Sequence, residues 1–529
     1  MMLRLLSVPR PRCDWQVTVA MALVFATMAL FLATRDNDFP FAFHPDEESK
    51  IVQVQTGDYD FHHPLLMLRA AGLVEALIPV DGTPEQIKQA GRWISALCAA
   101  GAVFCLVLIA SELGGAIAGL VAGLFLALNH ALFELAHYFK EDTAFLFGVS
   151  LFLLTLVLYG RAPVKRRAAA LGAALGVAAS AKYTAVILVP IAVGAVAIAG
   201  RRQPWQQLLV GMLSCIGVWL IVNWPLVTQL VSAHEAVLRE LHLATGGHAG
   251  IGREVPHGYY LWLARVTVNP VAWLLVLVYL LALVPRRREV SGAEWVVAAF
   301  PFAFGLMLSF FPQVSYRYFL PGTALLLVLA GLGAGTLTRL CWRDRAILAG
   351  QRAWLWGGLV ILAGLVAQLP VTIDYYQGFA NDTRSRLAAY LQSEAPPDAQ
   401  IAQDNAVALE HFDLPNRIRG SRFVADLGTL DMLRDWDILY VAVTRRRFGR
   451  LFRDRTIIPA KARADFLRRR TFYSRLFAEG ELVLELQQGP VKYLQPHLAL
   501  YRLSAPKSGP LAGDSAKPAT GSAQTSARR

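Results

Sequence analysis

The sequence predicts a polytopic α-helical membrane protein of about eleven spans, followed by a small α/β domain. Three observations point there. The chain of 529 residues is 55% hydrophobic, with a mean hydropathy of +0.43, which lies outside the soluble globular class. Apolar runs of about 20 residues, the length that crosses a bilayer core, recur between residues 15 and 370. Beyond residue 370 the pattern changes to one with soluble helices and strands.

The apolar runs fall near residues 15–34, 93–112, 116–136, 143–160, 167–182, 184–200, 205–226, 268–284, 294–311, 319–338 and 353–370. The first follows Arg4, Arg10 and Arg12 and resembles a signal peptide. It is long for a signal core and has no small-x-small cleavage site, so it reads as an uncleaved span. Basic clusters orient the rest. Arg161, Lys165, Arg166 and Arg167 follow the fourth run, Arg201 and Arg202 the sixth, and Arg286, Arg287 and Arg288 the eighth. Arg339, Arg343, Arg345 and Arg352 separate the tenth and eleventh. All share one side if the N-terminus is cytoplasmic and the C-terminus is outside.

Residues 168–200 test this orientation. As one helix they would reach roughly 50 Å, too long for a core of about 30 Å. Their ends are both flanked by basic residues, so the chain is expected to turn near Ser180-Ala181-Lys182-Tyr183-Thr184 and leave Lys182 at the outer face. A lysine at the membrane centre would cost about 2.5–3.5 kcal/mol on insertion scales.

This topology divides the chain into a membrane domain, residues 1–370, with outer loops at 35–91 and 227–267. An outer α/β domain spans 371–505, and a tail rich in Ser, Ala, Gly, Pro and Thr, residues 506–529, is expected to lack order. The stretch Pro64 to Val80 is too short to span and carries Arg69 and Glu75, which suits an interfacial helix. In the outer domain, Asn381 to Ser393 reads as a helix, and Ile438 to Val443, Leu482 to Leu486 and Leu498 to Leu503 read as strands.

The formal net charge of +13 suggests nucleic acid only until the basic residues are placed. They sit in short clusters between apolar runs, so they report topology and attraction to lipid phosphates. The five cysteines, Cys13, Cys98, Cys105, Cys215 and Cys341, include no C-x-x-C pair. No disulfide framework or zinc site is indicated.

Polar groups gather on the predicted outer side. Asp46, Glu47 and Glu48 open the first loop, and His62 and His63 follow in "YDFHHPLL". Lys140, Glu141 and Asp142 begin the fourth run, Lys182 caps the fifth, and His248 sits in "GGHAG". Tyr316, Arg317 and Tyr318 precede the tenth. Each has an ordinary explanation. Loop acids are usually solvated, Glu141 and Asp142 suit a helix N-terminus, Lys182 could be a snorkelling lysine, and Arg317 between tyrosines could be an interfacial anchor. Adjacent histidines do not share a helix face as a metal-binding i, i+4 pair does. The shared side is what these explanations leave unaccounted for.

The arrangement resembles the GT-C glycosyltransferases, in particular the superfamily of protein O-mannosyltransferases and lipid A aminoarabinose transferases. His44-Pro45-Asp46-Glu47 is similar to the family's first acidic motif, and "HHPLL" to its "HPPL" segment, with Leu65 in place of the second proline. "YFKEDTAFLFGVSLFLL" resembles the second acidic motif, "ASAKYTAVILVP" the lysine-bearing helix break, and "SYRYFLPGTALLLVLAGLG" the arginine-bearing late span. "NDTRSRLAAYLQSEAPPDAQIAQDN" is similar to the start of the outer domain of many bacterial members.

The resemblance implies an inverting transfer of a sugar from a polyprenyl phosphate to an acceptor hydroxyl on a glycan, lipid or protein, at the outer face of the cytoplasmic membrane. It implies catalysis by Asp46 with Glu47, and positioning by Glu141 or Asp142, His62, His63 and His248. Lys182, Arg317, Tyr316 and Tyr318 would hold the donor phosphate. Which of Glu141 and Asp142 matches the family position stays open, as do the metal and a role for a divalent cation. The rival readings are a transporter, which would place ionisable groups at mid-membrane on broken helices, a receptor or assembly protein working through its outer domain, and a pyrophosphate-linked glycan ligase.

Overall fold

A computed structural model describes residues 14–77, 82–200, 203–246, 258–311, 315–343, 350–452 and 462–504. His248 with its glycine-rich loop, and the tail 506–529, lie outside the described residues.

The helical part begins with α1 (Trp15–Thr34), whose first turn is capped by the Asp14 side chain accepting from the Gln16 N–H at 2.9 Å. Two short helices follow in the first loop. One is α2 (Glu47–Thr56), stopped by Gly57 at φ 69°; the other is α3 (Leu66–Leu77). The second buries Met67, Leu68 and Ala71 while exposing Leu73 and Leu77. That one-sided burial is what an interfacial helix requires. Next comes α4 (Pro84–Gly114), started by a capping box between Thr83 and Gln86 with proline in its first turn.

Helix α4 packs on α1, on α5 (Ala116–Ala127) and on α7 (Glu141–Arg161), so it is a central pillar. A bend of 56° separates α5 from the short α6 (His130–Ala136). After α8 (Lys165–Ala181) the helix breaks at Lys182, whose backbone is extended, and resumes through a 3₁₀ turn, Tyr183–Ile187, into α9 (Leu188–Ala199). The expected interruption at Lys182 is therefore present. Helix α10 (Pro204–Thr228) lies so close to α8 that a Cβ on Gly172 would stand 1.9 Å from the Gly211 carbonyl oxygen.

Four more helices follow, α11 (Leu230–Gly246), α12 (Tyr259–Thr267), α13 (Pro270–Arg286) and α14 (Gly292–Leu308). A 3₁₀ turn, Tyr316–Phe319, then leads into the deeply buried α15 (Leu320–Arg343), and α16 (Gly350–Ala380) completes the helical part.

All the predicted apolar runs are helical. Among the described residues, five helices are long and apolar enough to cross a membrane, or up to six if the bent pair α5–α6 counts as one span, and the segment Tyr183–Ala199 and helices α13 and α14 are apolar but shorter.

Past α16 the chain forms α17 (Thr383–Glu394), capped by Asp382, and a five-stranded sheet of order β2-β1-β3-β5-β4. Its strands are β1 (Gln400–Asp404), β2 (Arg417–Ser421), β3 (Ile438–Thr444), β4 (Glu481–Leu486) and β5 (Leu498–Arg502). The first three are parallel and β5 is antiparallel to both β3 and β4. Helices α18 (Leu430–Asp435), α19 (Arg445–Phe448) and α20 (Arg463–Glu479) complete the unit.

Two joints fasten the first loop to the helices. Buried Glu47 receives Arg92 of α4 through Nε at 2.9 Å and Nη2 at 2.6 Å, and the Phe139 N–H at 2.8 Å. Arg92 also donates to the carbonyls of Asn37 and Phe39, and its guanidinium stacks 3.5 Å from the Phe39 ring centroid. At the second joint, buried Asn223 sits where α10 kinks beside Pro225. Its Oδ1 accepts from the Leu65 N–H at 2.9 Å, and its Nδ2 donates to Ser180 Oγ at 2.9 Å.

Two stability predictions follow from these joints. Arg92→Ala leaves the buried Glu47 charge unpaired and is expected to destabilise by about 3–5 kcal/mol. Asn223→Ala strands a buried N–H and should cost about 1–3 kcal/mol. Thermal unfolding of the detergent-solubilised variants checks both, and an unchanged midpoint for either would remove that joint from the account.

Candidate active site

The first loop, the head of α7 and the 3₁₀ turn before α15 converge on one group of charges. Four acids there each meet a cation: Asp46 meets Lys140, Glu47 meets Arg92, Glu141 meets Lys50 and Asp142 meets Lys182. They come from distant parts of the chain, so the fold assembles this group.

Asp46 is the accessible member, with 38% of its side chain exposed. It stands at the N-cap of α2, and its backbone N–H donates to His44 Nδ1 at 3.3 Å. Its Oδ2 accepts from Lys140 and also from Arg317 Nη1 at 3.4 Å. Burial acts to raise its carboxyl, but Lys140, then His44, Arg317 and Lys50, outweigh burial and hold it well below the usual carboxylate range.

Glu47 differs. Its side chain is 0% exposed and both of its oxygens are engaged by Arg92. This sealed carboxylate, expected beside Asp46 at the site, holds the first loop to α4 through Arg92.

At the head of α7, Glu141 Oε1 lies 2.5 Å from Lys50 Nζ, and its Oε2 lies 3.6 Å from His63 Nε2. Burial, helped by Lys50, Lys182 and His62, pushes the His63 imidazole down to about 3 against the pull of Glu141. His63 is thus neutral near pH 7. Asp142 accepts from Lys182 Nζ at 2.6 Å through Oδ1, while its buried Oδ2 has no partner among the described residues. Lys182 and Arg317 approach the same ring, Tyr318, at 5.3 and 5.1 Å from its centroid. Arg317 Nη2 also donates to Tyr318 Oη at 3.4 Å.

The structure therefore unites Asp46, His63, Glu141, Asp142, Lys182, Arg317 and Tyr318 in one network. Tyr316 turns aside and donates to buried Glu134. His62 pairs with Glu240 of α11, although its ring lies 4.6 Å from that of His63. The metal question has a partial answer. Among the described residues no three His, Cys, Asp or Glu side chains are grouped to hold an ion, and the network's acids are engaged by lysine and arginine.

Sequence reasoning missed Lys50, Arg92, Glu134 and the contribution of the sheet unit. Arg92 carried a usable signal, since an arginine at the edge of an apolar run asks for a partner. From the sheet unit, Tyr493 packs against His44 with ring centroids 4.5 Å apart, beside Tyr138, whose ring is also 4.5 Å from His44. Arg446 lies 4.8 Å from the Tyr493 ring centroid.

Residues 80–228 match the family described as dolichyl-phosphate-mannose-protein mannosyltransferase. No curated protein matches the chain. Among solved structures, the archaeal oligosaccharyltransferase AglB from Archaeoglobus fulgidus, in complex with an inhibitory peptide and a dolichol-phosphate, is 10% identical, with a TM-score of 0.51 over 81% of this chain and 70% of its own. The same organism's enzyme tethered with an acceptor peptide is 12% identical, with a TM-score of 0.51 over 92% of this chain and 75% of its own. ArnT from Cupriavidus metallidurans bound to undecaprenyl phosphate is 14% identical, with a TM-score of 0.46 over 90% of this chain and 97% of its own. The oligosaccharyltransferase likeness gives the fold, a helical membrane-type body with a small sheet unit, and the family match covers the pillar helix α4 through α10.

Proposed function

We propose that the protein transfers a sugar from a polyprenyl-phosphate donor to an acceptor hydroxyl, with inversion, at the outer face of the cytoplasmic membrane. The observation that carries this reading is the meeting of one accessible carboxylate, Asp46, with Lys140 and Arg317, while Arg317 and Lys182 converge on the Tyr318 ring. A carboxylate beside cations suits a reaction in which one oxygen loses a proton while another leaves as phosphate.

Asp46 accepts the proton of the acceptor hydroxyl as that oxygen bonds to the anomeric carbon. The bond from this carbon to the donor phosphate oxygen breaks, and its electron pair stays on the phosphate. Such a leaving group needs neutralisation more than protonation, and Arg317 and Lys182 supply it. Attack opposite the phosphate inverts the anomeric centre, the geometry of a single displacement. Glu141 with Lys50 and His63, and Asp142 with Lys182, position the reactants.

The polyprenyl phosphate assignment draws support from the archaeal transferase of like fold, which holds a dolichol-phosphate. The basic clusters after the apolar runs support a reading with the N-terminus cytoplasmic and residues 371–505 outside. In that topology a donor arriving within the bilayer reaches the site where nucleotide sugars are not supplied.

Asp46→Asn is expected to lower turnover by about 10²–10⁴-fold, the usual contribution of general-base help. Mass spectrometry of membrane polyprenyl-phosphate sugars reads the effect. One lipid-linked sugar should accumulate in the variant and be consumed in the wild type. Equal pools, with wild-type protein folded and active, would remove Asp46 as the base.

A further inference from the structure

The oxygens of Asp46 are unlike. Oδ2 accepts from both Lys140 and Arg317, whereas Oδ1 accepts no hydrogen bond among the described residues. Lys140 is firmly seated. Its backbone N–H donates to Ser95 Oγ at 3.3 Å, the same hydroxyl donates to its carbonyl at 3.4 Å, and its side chain is 3% exposed. The carboxylate is thus anchored by one oxygen and open at the other.

As it rests, this group is a weak base. Two cations on one carboxylate favour the ionised form, and general-base catalysis improves as the base's affinity for the proton approaches the working pH. The charged and titratable groups facing Asp46 are Lys140 ahead of α7, Arg317 ahead of α15, His44 on its own loop, Lys50 on α2 and Arg446 of α19. Burial keeps His44 neutral, and Lys50 already serves Glu141. Asp142 likewise has Lys182 to itself. Lys140 and Arg317 are therefore two cations sharing one carboxylate, an excess that an arriving phosphate can take up.

We propose that Lys140 is a positioning residue that couples donor binding to the strength of the base. A polyprenyl phosphate entering beside Arg317 draws Arg317 away from Asp46 Oδ2 while Lys140 keeps the carboxylate in place, so Asp46 accepts a proton readily only when the leaving group is bound. The inference rests on the reading of Asp46 as the base. In the coupled step the acceptor's proton goes to Oδ1, the acceptor oxygen bonds to the anomeric carbon, and the phosphate leaves with the electron pair toward the Arg317 it has recruited.

The test uses the full-length protein in detergent and a water-soluble carbodiimide, which modifies protonated carboxyls, with sites mapped by peptide mass spectrometry. The probe is undecaprenyl phosphate without a sugar, its binding followed by thermal shift. At about pH 5, Asp46 should be nearly inert alone and at least about tenfold more reactive with the probe, since one unit of pKa is a tenfold change in protonation. Lys140→Gln should show a rise without probe, and Lys140→Arg should stay low. Buried Glu47 must remain unmodified throughout, which certifies the fold of each variant. Unchanged Asp46 reactivity in both probe-bound wild type and Lys140→Gln overturns the coupling while leaving the base assignment to its own test. If the probe does not bind, the donor assignment falls, and the coupling with it.

Discussion

Burying a carboxylate is tolerable only when a cation and hydrogen bonds replace the water it loses, and the site is organised by that constraint. Glu47 is its strictest case, with no exposure, two bonds from Arg92 and one from the Phe139 backbone. Arg92 in turn gathers the carbonyls of Asn37 and Phe39. A single ion pair thereby fixes the path of the first loop from α1 to α2, and with it the adjacent residue, Asp46. The reactive carboxylate sits where it does because its neighbour cannot move.

The same logic explains why the sheet unit lies against this loop. Phe39, Phe43, Tyr138 and Phe379 pack with Val491 and Leu494, so the apolar face of the acidic loop is closed from outside. Arg384 of α17 donates to the carbonyls of Ala406 and Tyr493 and places its guanidinium 4.0 Å from the Phe43 ring centroid. Tyr493 then packs against His44, whose Nδ1 accepts from Asp46. The unit is joined to the site through ring contacts and one buried arginine, and it brings the charge of Arg446 within electrostatic reach of Asp46.

Much of this was legible in the sequence, and the failures have particular causes. Asp46, Lys182 and Arg317 stood out because charges beside long apolar runs are expensive unless paired. The helix break at Lys182 followed from length alone. The different surroundings of Asp46 and Glu47 were not legible, because adjacent acids look equivalent in a sequence and only the fold seals one of them against Arg92. Lys50 and Arg92 escaped notice because their partners are distant in sequence, and only the fold brings them together. Strands β1 and β2 were missed for another reason. "QIAQD" and "RIRGS" are short and polar, so period-two alternation had too few apolar positions to register.

The charge balance of the network says what kind of ligand it awaits. Glu47, Glu141 and Asp142 each have one direct ion pair with a cation, so these pairs are close to neutral. Asp46 has two, and both reach the same oxygen. A site designed only to hold a carboxylate needs no second cation, because the first already offsets most of the desolvation cost. A second one is useful when a further anion must be accommodated at the same place. A phosphate meets that condition, and a neutral acceptor hydroxyl does not. On the proposed reading the excess cation belongs to the leaving group, and the free oxygen of Asp46 to the nucleophile. One carboxylate can face both reactants because its two oxygens are held in unlike surroundings.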